Sequence, residues 1–406
     1  MTEEIKLTPE QQVAVDEVEK WVKSPFSKML SFTGAAGTGK TVSTAFIKKL
    51  LPGATSWAAM TGKAALRLSE LAGVSARTLH ATVYKPPINK GKYLNFSAMK
   101  KPDCQYLVLD EAGMAGPKIF YDLQDWINKG VKVLFIGDGY QLPPIMTLKE
   151  EQEHGEDFII FREVKGPSLT TVMRSGGGII QFATEVRETQ KIPTKGNESV
   201  SIEQTKYPGL AAIKEYLADP EDHVLITWTN RLRMQGNEEI RRKLGFTGLL
   251  PGPTEPVLIC KNGQDRLNGE VVYATGFTPG PKLADVSTMW MHVNDGSDLL
   301  VTVNGKDQPM DGFMPNVKDW REYHQQRNNQ DLDEPLPITY GYVMTCHKMQ
   351  GNQARRVSVF LSGSDISNQH FNKLTRLPSG EQTPFSIRWL YTSATRAKDR
   401  VNLYIG

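Results

Sequence analysis

The sequence predicts an α/β protein with two parallel-sheet cores, a small hairpin insert and a β-rich, barrel-like insert. Three observations carry this. Short apolar runs that end in polar residues, "KMLSFTG" (28–34), "ATSWAAM" (54–60), "YLVLDEAG" (106–113) and "KVLFIGDGYQLPP" (132–144), alternate with helical stretches. That alternation suits buried parallel strands with helical crossovers. The pattern then starts afresh at "DHVLITWTN" (222–230), with "RRVSVFLS" (355–362) and "RVNLYIG" (400–406) as later strands. Finally, 406 residues exceed what one hydrophobic core usually serves.

Taken in order, Thr8 reads as an N-cap and Pro9 as the first position of a helix over 8–23. "KTVSTAFIKKLL" is the helix after the first strand, closed by Pro52-Gly53, and "RLRMQGNEEIRRKL" the helix after the strand at 222. Residues 85–102 are bounded by prolines around Asn89-Lys90-Gly91, which suits a hairpin. Residues 271–335 hold β-rich pieces separated by Gly, Pro and Asp, which suits a small antiparallel barrel. The boundaries read this way are 1–84 with 103–164 for the first core, 165–270 with 336–406 for the second, and 85–102 and 271–335 for the inserts.

Composition narrows function by exclusion. Lys plus Arg number 48 against 45 Asp plus Glu, so a net charge of +3 neither predicts nor excludes a nucleic-acid partner. Cys104, Cys260 and Cys346 lie far apart, which supports neither a zinc ribbon nor a disulfide framework. A reducing, cytoplasmic setting is expected, in a bacterium or a phage-infected cell. The polar, acidic start "MTEEIKLTPEQQ" argues against a secretory signal, and no run of about 18 apolar residues suits a membrane span.

The chemistry concentrates at three strand ends. "GAAGTGKT" (34–41) has the G-x-x-x-x-G-K-[ST] spacing between a strand and a helix. There Gly34, Ala35, Ala36, Gly37, Thr38 and Gly39 would wrap phosphates with backbone N–H groups, Lys40 would reach the β- and γ-phosphates and Thr41 would hold Mg²⁺. In "YLVLDEAG", Asp110 is a Mg²⁺ candidate and Glu111 a base that polarises the attacking water. In "GDGYQLPPI" (137–145), Gln141 can sense the γ-phosphate through that water.

With these strand ends in order the chain resembles a superfamily 1 helicase, more narrowly the RecD-like 1B branch and its small Dda-type phage members. "LTPEQQVAV" resembles the family's Q-motif, which implies that Gln11 reads adenine. "AAMTGKAALRL" (58–68) and "ARTLHATVY" (76–84) resemble the DNA-contacting segments of the first core. "LTTVMRS" (169–175) and "WLYTSATRAKDRVNLY" (389–404) imply arginine fingers at Arg174 and Arg396, both on the second core. "TWTNRLRMQGN" (227–237) resembles the segment opening that core, and "MTCHKMQGNQ" the T-x-H-K-x-Q-G motif. Met349 and Cys346 depart from the usual residues at flanking positions.

The resemblance implies two RecA-like cores, a pin and an SH3-like barrel, with ATP and Mg²⁺ as cofactors. It implies single-stranded and forked duplex DNA as partners, 5′→3′ movement, a working monomer and no membrane association. Replication or recombination proteins are possible further partners that no residue identifies. DNA contacts are implied at Thr61, Lys63, Thr78 and His80 on the first core and at Thr229, Asn230, Thr345, His347 and Lys348 on the second. Gly351 belongs to the turn that relays nucleotide state. Lys63 and Lys348 read equally as solvated lysines and His80 as a buried histidine. Tyr93 or Phe96 can stack on the first base pair of a fork or pack the hairpin onto its own domain. A P-loop kinase, an ATP-using binding switch and a DNA-stimulated ATPase without processive unwinding are the competing readings.

Overall fold

The computed structural model describes residues 6–85, 88–90, 93–95, 99–146, 148–154, 159–172, 177–261, 263–303, 320–330 and 332–406. Arg174 and Phe96 lie outside them, as do the side chains of Thr41 and Tyr93.

The elements begin with α1 (Pro9–Lys23), β1 (Met29–Gly34), α2 (Lys40–Leu50), β2 (Thr55–Ala59), α3 (Gly62–Ala72), β3 (Ala76–Thr78) and α4 (Leu79–Val83). The strands β4 (Ile88–Lys90) and β5 (Tyr93–Asn95) follow, then β6 (Tyr106–Asp110), α5 (Pro117–Asn128), β7 (Lys132–Gly137), α6 (Leu148–His154), α7 (Ile160–Glu163) and β8 (Ser168–Leu169). Next come α8 (Gly178–Thr189), β9 (Val200–Gln204), α9 (Pro208–Ala218), β10 (His223–Thr227), α10 (Asn230–Lys243), β11 (Pro256–Ile259), β12 (Val271–Pro279), β13 (Ser287–Val293) and β14 (Asp298–Val303). The chain continues through α11 (Trp320–Asn329), β15 (Leu336–Tyr340), β16 (Val343–Thr345), α12 (Cys346–Met349), β17 (Ala354–Leu361) and α13 (Gly363–Ile366). It closes with β18 (Leu374–Arg376), β19 (Gln382–Pro384), α14 (Phe385–Ala394) and β20 (Ala397–Ile405).

By contact the chain divides into two units, one of residues 1–85, 99–203 and 363–403, the other of 86–98, 204–362 and 404–406. In the first unit a six-stranded sheet has the order β3-β2-β6-β7-β1-β8. Its pairings are parallel. Period-two alternation sends Leu107, Leu109, Val133 and Phe135 into one apolar layer with Leu123, Trp126 and Phe161. Val108, Leu134 and Ile136 enter the opposite layer with Val18, Trp21, Phe32 and Ile47. Both faces are therefore covered, as parallel sheets require. The N-cap read at Thr8 is formed, and it is part of a capping box: its hydroxyl accepts from Gln11 N–H while the Gln11 side chain accepts from Thr8 N–H.

In the second unit β10 runs parallel to both β16 and β17. Leu225, Ile240, Val343 and Phe360 share one core there. Strands β11 to β15 close a barrel around Val257, Met291, Val301 and Ile338. The barrel takes β11 and β15 from beyond the 271–335 boundary, and β15 lies parallel to β14. The backbones of β4 and β5 pair antiparallel.

Two segments differ from the boundaries read in the sequence. Strand β8 joins the first sheet beside β1 although residue 165 was the expected start of the second core. By contact residues 363–403 group with the first unit, Arg396 among them, while β20 is itself a strand of the five-stranded sheet β16-β10-β17-β20-β9, the core in which the sequence reading put it. The physical reason lies in α14: Arg388 donates to the carbonyls of Gly139 and Gln141, and Thr392 Oγ1 accepts from Leu142 N–H at 3.1 Å. These bonds fasten the helix to the turn after β7.

Candidate nucleotide site and nucleic-acid contacts

Parallel strands gather their C-terminal ends on one sheet edge, where ligands of α/β folds bind. Pairing of Thr33 with Gly137, and of Ala59 with Asp110, puts the ends of β1, β7, β2 and β6 on that edge. The loop from β1 to α2 is shaped by its glycines. Gly37 and Gly39 have φ of +81° and +84°, a region costly for any side chain. A Cβ on Gly34 would come within 2.5 Å of Thr38 Oγ1. The loop's carbonyls are engaged from within the protein. Lys40 Nζ donates to Gly34 O at 2.6 Å and Ala35 O at 3.0 Å, and Gln11 Nε2 donates to Thr38 O at 3.0 Å. At its N-cap, Gly39, helix α2 has no side-chain hydrogen bond. A glycine there brings no side chain to compete for the first amides, and a helix N-terminus suits an anion.

Asp110 ends β6. Burial pushes its carboxyl above the usual range, the neighbouring Glu111 charge adds to this, and the Glu111 amide, Lys40 and Arg67 oppose it. Asp110 Oδ1 accepts from Glu111 N–H at 2.9 Å. Glu111 itself sits at φ +53°, a strained conformation for a residue with a side chain. Its charge and that of Lys40 both act on the Asp110 carboxyl. Gln141 is buried in the turn after β7. Asp138, in the same turn, accepts from Tyr140 N–H at 2.9 Å and from the Tyr391 hydroxyl at 2.6 Å. That hydroxyl also accepts from Ala36 N–H of the phosphate loop at 2.8 Å. Arg396 is buried just beyond α14, where its guanidinium donates to Thr392 O and Thr395 Oγ1.

Glu10 was not singled out by the sequence. Its carboxylate accepts from Thr170 N–H and Oγ1, both at 2.7 Å, and from Thr171 N–H at 2.9 Å. Burial works against ionisation, yet these bonds outweigh it and hold the group at about 2. The carboxylate thus ties α1 to the chain just ahead of Arg174. A clue was the capping-box helix itself, whose first turn carries this acid; its partners 160 residues away left none.

The residues expected along the nucleic-acid track open helices. Thr61, Thr78 and Thr229 are N-caps whose hydroxyls accept from Ala64, Ala81 and Leu232 N–H. Each hydroxyl keeps its own O–H to donate. Lys63 lies in the first turn of α3. His80 stacks on Tyr84 with ring centroids 5.5 Å apart. Burial, then the Lys118 charge, lowers its pKa. In the second unit Asn230 Oδ1 accepts from Arg233 Nε, and Thr345 begins the α12 turn. Burial lowers His347 to about 4, so the imidazole is neutral at pH 7. Lys348 Nζ lies 3.5 Å from Cys260 Sγ. Gly351 has φ +79°, so the turn after α12 favours glycine. Cys346 is fully buried. Among the described residues no cluster of three or more His, Cys, Asp or Glu side chains could hold a metal, and no helix is long and apolar enough to cross a membrane.

Residues 6–198 match the family model of an AAA domain, AAA_30. The ATP-dependent DNA helicase dda of Enterobacteria phage T4 is 33% identical over 188 residues, 45% of this chain and 42% of that one. The ATP-dependent RecD2 DNA helicase of Deinococcus radiodurans is 31% identical over 121 residues, 29% of this chain and 16% of that one. The chain thus spans less than half the length of either relative. The crystal structure of a Bacteroides Pif1 helicase with ADP-AlF3 and single-stranded DNA superposes with a TM-score of 0.57 at 16% identity, covering 98% of this chain and 92% of that one, a likeness of fold. The ordered motifs, the glycine loop at a parallel-sheet edge and these likenesses agree: the chain carries an AAA-type domain over residues 6–198 and is similar to Dda-type and RecD-like DNA helicases.

Proposed function

We propose that the chain is an ATP-driven motor that moves 5′→3′ along single-stranded DNA and separates forked duplex. The observation that carries this is the uncapped N-terminus of α2 behind a left-handed glycine loop, with Lys40 acting on Asp110 at the same sheet edge. The loop amides and Lys40 bind the β- and γ-phosphates, and Gln11 braces the loop from behind. Asp110 and the Thr41 hydroxyl suit Mg²⁺, an ion that takes one or two protein oxygens beside phosphate and water. Held there, Mg²⁺ would supply positive charge against the phosphates. Glu111 orients a water and receives its proton as oxygen attacks the γ-phosphorus and the bond to the β-phosphate oxygen breaks. Gln141 positions that water, and Arg396 with Arg174 stabilises the charge that develops.

DNA contact would rest on hydroxyls and amides that read the backbone and no base. Thr61, Thr78 and Thr229 donate to phosphate oxygens while keeping their caps, and Lys63 and Lys348 add charge. His80 and the neutral His347 contribute hydrogen bonds, so they leave the salt dependence of binding to the lysines. Asn230, Thr345 and the Gly351 turn complete the contacts of the second unit. The hairpin of β4 and β5 carries Tyr93 and precedes Phe96, aromatics suited to stacking at the fork. The test is unwinding of duplexes with a 5′ or a 3′ single-stranded tail. Strand separation from the 5′ tail alone is expected, and separation from the 3′ tail alone would contradict the reading.

A further inference from the structure

Tyr391 is 2% exposed, and its hydroxyl joins two parts of the nucleotide site. It accepts from Ala36 N–H at 2.8 Å and donates to Asp138 Oδ2 at 2.6 Å. Asp138 is fixed in turn by Tyr140 N–H, and the Tyr140 ring meets the Tyr391 ring edge-on at 5.1 Å. One helical turn before Tyr391, Arg388 grips the carbonyls after β7. One turn after it, α14 ends and Arg396 follows. The phenol is thus a hydrogen-bonded link between a phosphate-binding amide, the turn that carries Gln141, and the helix that leads to Arg396.

We propose that Tyr391 is a positioning residue that distinguishes ATP from ADP by competing with the γ-phosphate for the Ala36 amide. A phosphate oxygen is a charged acceptor and outbids a neutral phenol oxygen for one N–H. ADP lacks the group that would make the exchange and leaves the Tyr391–Ala36 bond in place. ATP takes the amide, and the phenol keeps only its bond to Asp138. Nucleotide identity is thereby converted into two hydrogen-bonding states of α14, which ends beside Arg396. This rests on the ATP site proposed above.

The test is Tyr391→Phe, which keeps the ring and removes the hydroxyl. With the competitor gone, the variant should bind a non-hydrolysable ATP analogue more tightly relative to ADP, by about tenfold for one charge-assisted hydrogen bond. Its DNA-stimulated kcat should fall by a similar factor while KM for ATP falls or stays level. A residue that only packs the core would lower stability and leave the ratio of the two affinities unchanged. An unchanged ratio with kcat within twofold of wild type overturns the proposal. Should the variant not fold, hydrogen exchange on the wild-type chain decides. Residues 385–394 should exchange differently with the ATP analogue than with ADP, and identical exchange overturns the proposal. A wild-type chain that binds neither nucleotide would instead refute the ATP site itself.

Discussion

The two units each contain a parallel strand that runs into a helix, and the connections differ in a way that separates their chemistry. Between β1 and α2 lie five residues, Ala35 to Gly39, with two left-handed glycines and no side-chain cap on the helix. Between β10 and α10 lie Trp228 and Thr229, and the Thr229 hydroxyl caps the helix at 3.2 Å. The first connection leaves amides and a dipole end to an anionic ligand; the second satisfies one of them internally and keeps a single O–H to offer. Helix α10 is then fixed from its other face. Asn237 exchanges hydrogen bonds with the Val343 backbone, and Arg241 forms an ion pair with the fully buried Glu255 at 2.6 Å. The same strand-turn-helix unit thus suits a phosphate in one place and acts as a rigid support in the other.

Lys40→Ala should break the receptor most severely. Turnover of ATP should fall by at least about a hundredfold, as when a fixed donor to developing charge is lost. Some DNA binding should survive in a gel-shift or anisotropy measurement. Glu255→Ala should break the support: leaving Arg241 buried without its partner should cost about 3–5 kcal/mol, read as a fall in the denaturant midpoint of the second unit. The paired changes Gly39→Ala and Thr229→Ala sharpen the contrast. An L residue forced to φ +84° costs about 1–2 kcal/mol, so Gly39→Ala should weaken nucleotide binding about tenfold. Thr229→Ala should cost about 1 kcal/mol of stability and leave nucleotide affinity unchanged.

The smallest expected effect is on acid stability. Glu10 is held at about 2 against an ordinary 4.5, so it contributes stability above pH 4.5 that is lost as pH falls toward 2. His347, lowered to about 4, resists protonation when folded, so stability also declines as pH falls from 6.5 toward 4. Glu10→Gln should flatten the lower window alone in a series of melting curves, and His347→Gln the upper one.

The proposed nucleotide receptor could be read from the sequence because its chemistry is local. The glycine loop, Lys40, Asp110, Glu111 and the cap at Thr8 all declare themselves within eight residues or fewer. Most of what was not legible depends on chain segments far apart meeting. Tyr391 meets Ala36 across 355 positions, and Glu10 meets Thr170 across 160. Apart from Glu10's place in the first turn of α1, nothing near either residue marks the encounter. The short apolar strands β11 and β15 carry no sign of which partner they will choose, so the barrel's edges fell outside 271–335. His347 was legible as a residue and not as a charge, because its neutrality comes from tertiary burial.

The most direct test of the account is the steady-state ATPase of the wild-type chain with and without single-stranded DNA. A nucleotide receptor coupled to a DNA track predicts turnover that rises with single-stranded DNA and disappears in Lys40→Ala. Turnover indifferent to DNA, or retained without Lys40, would contradict it.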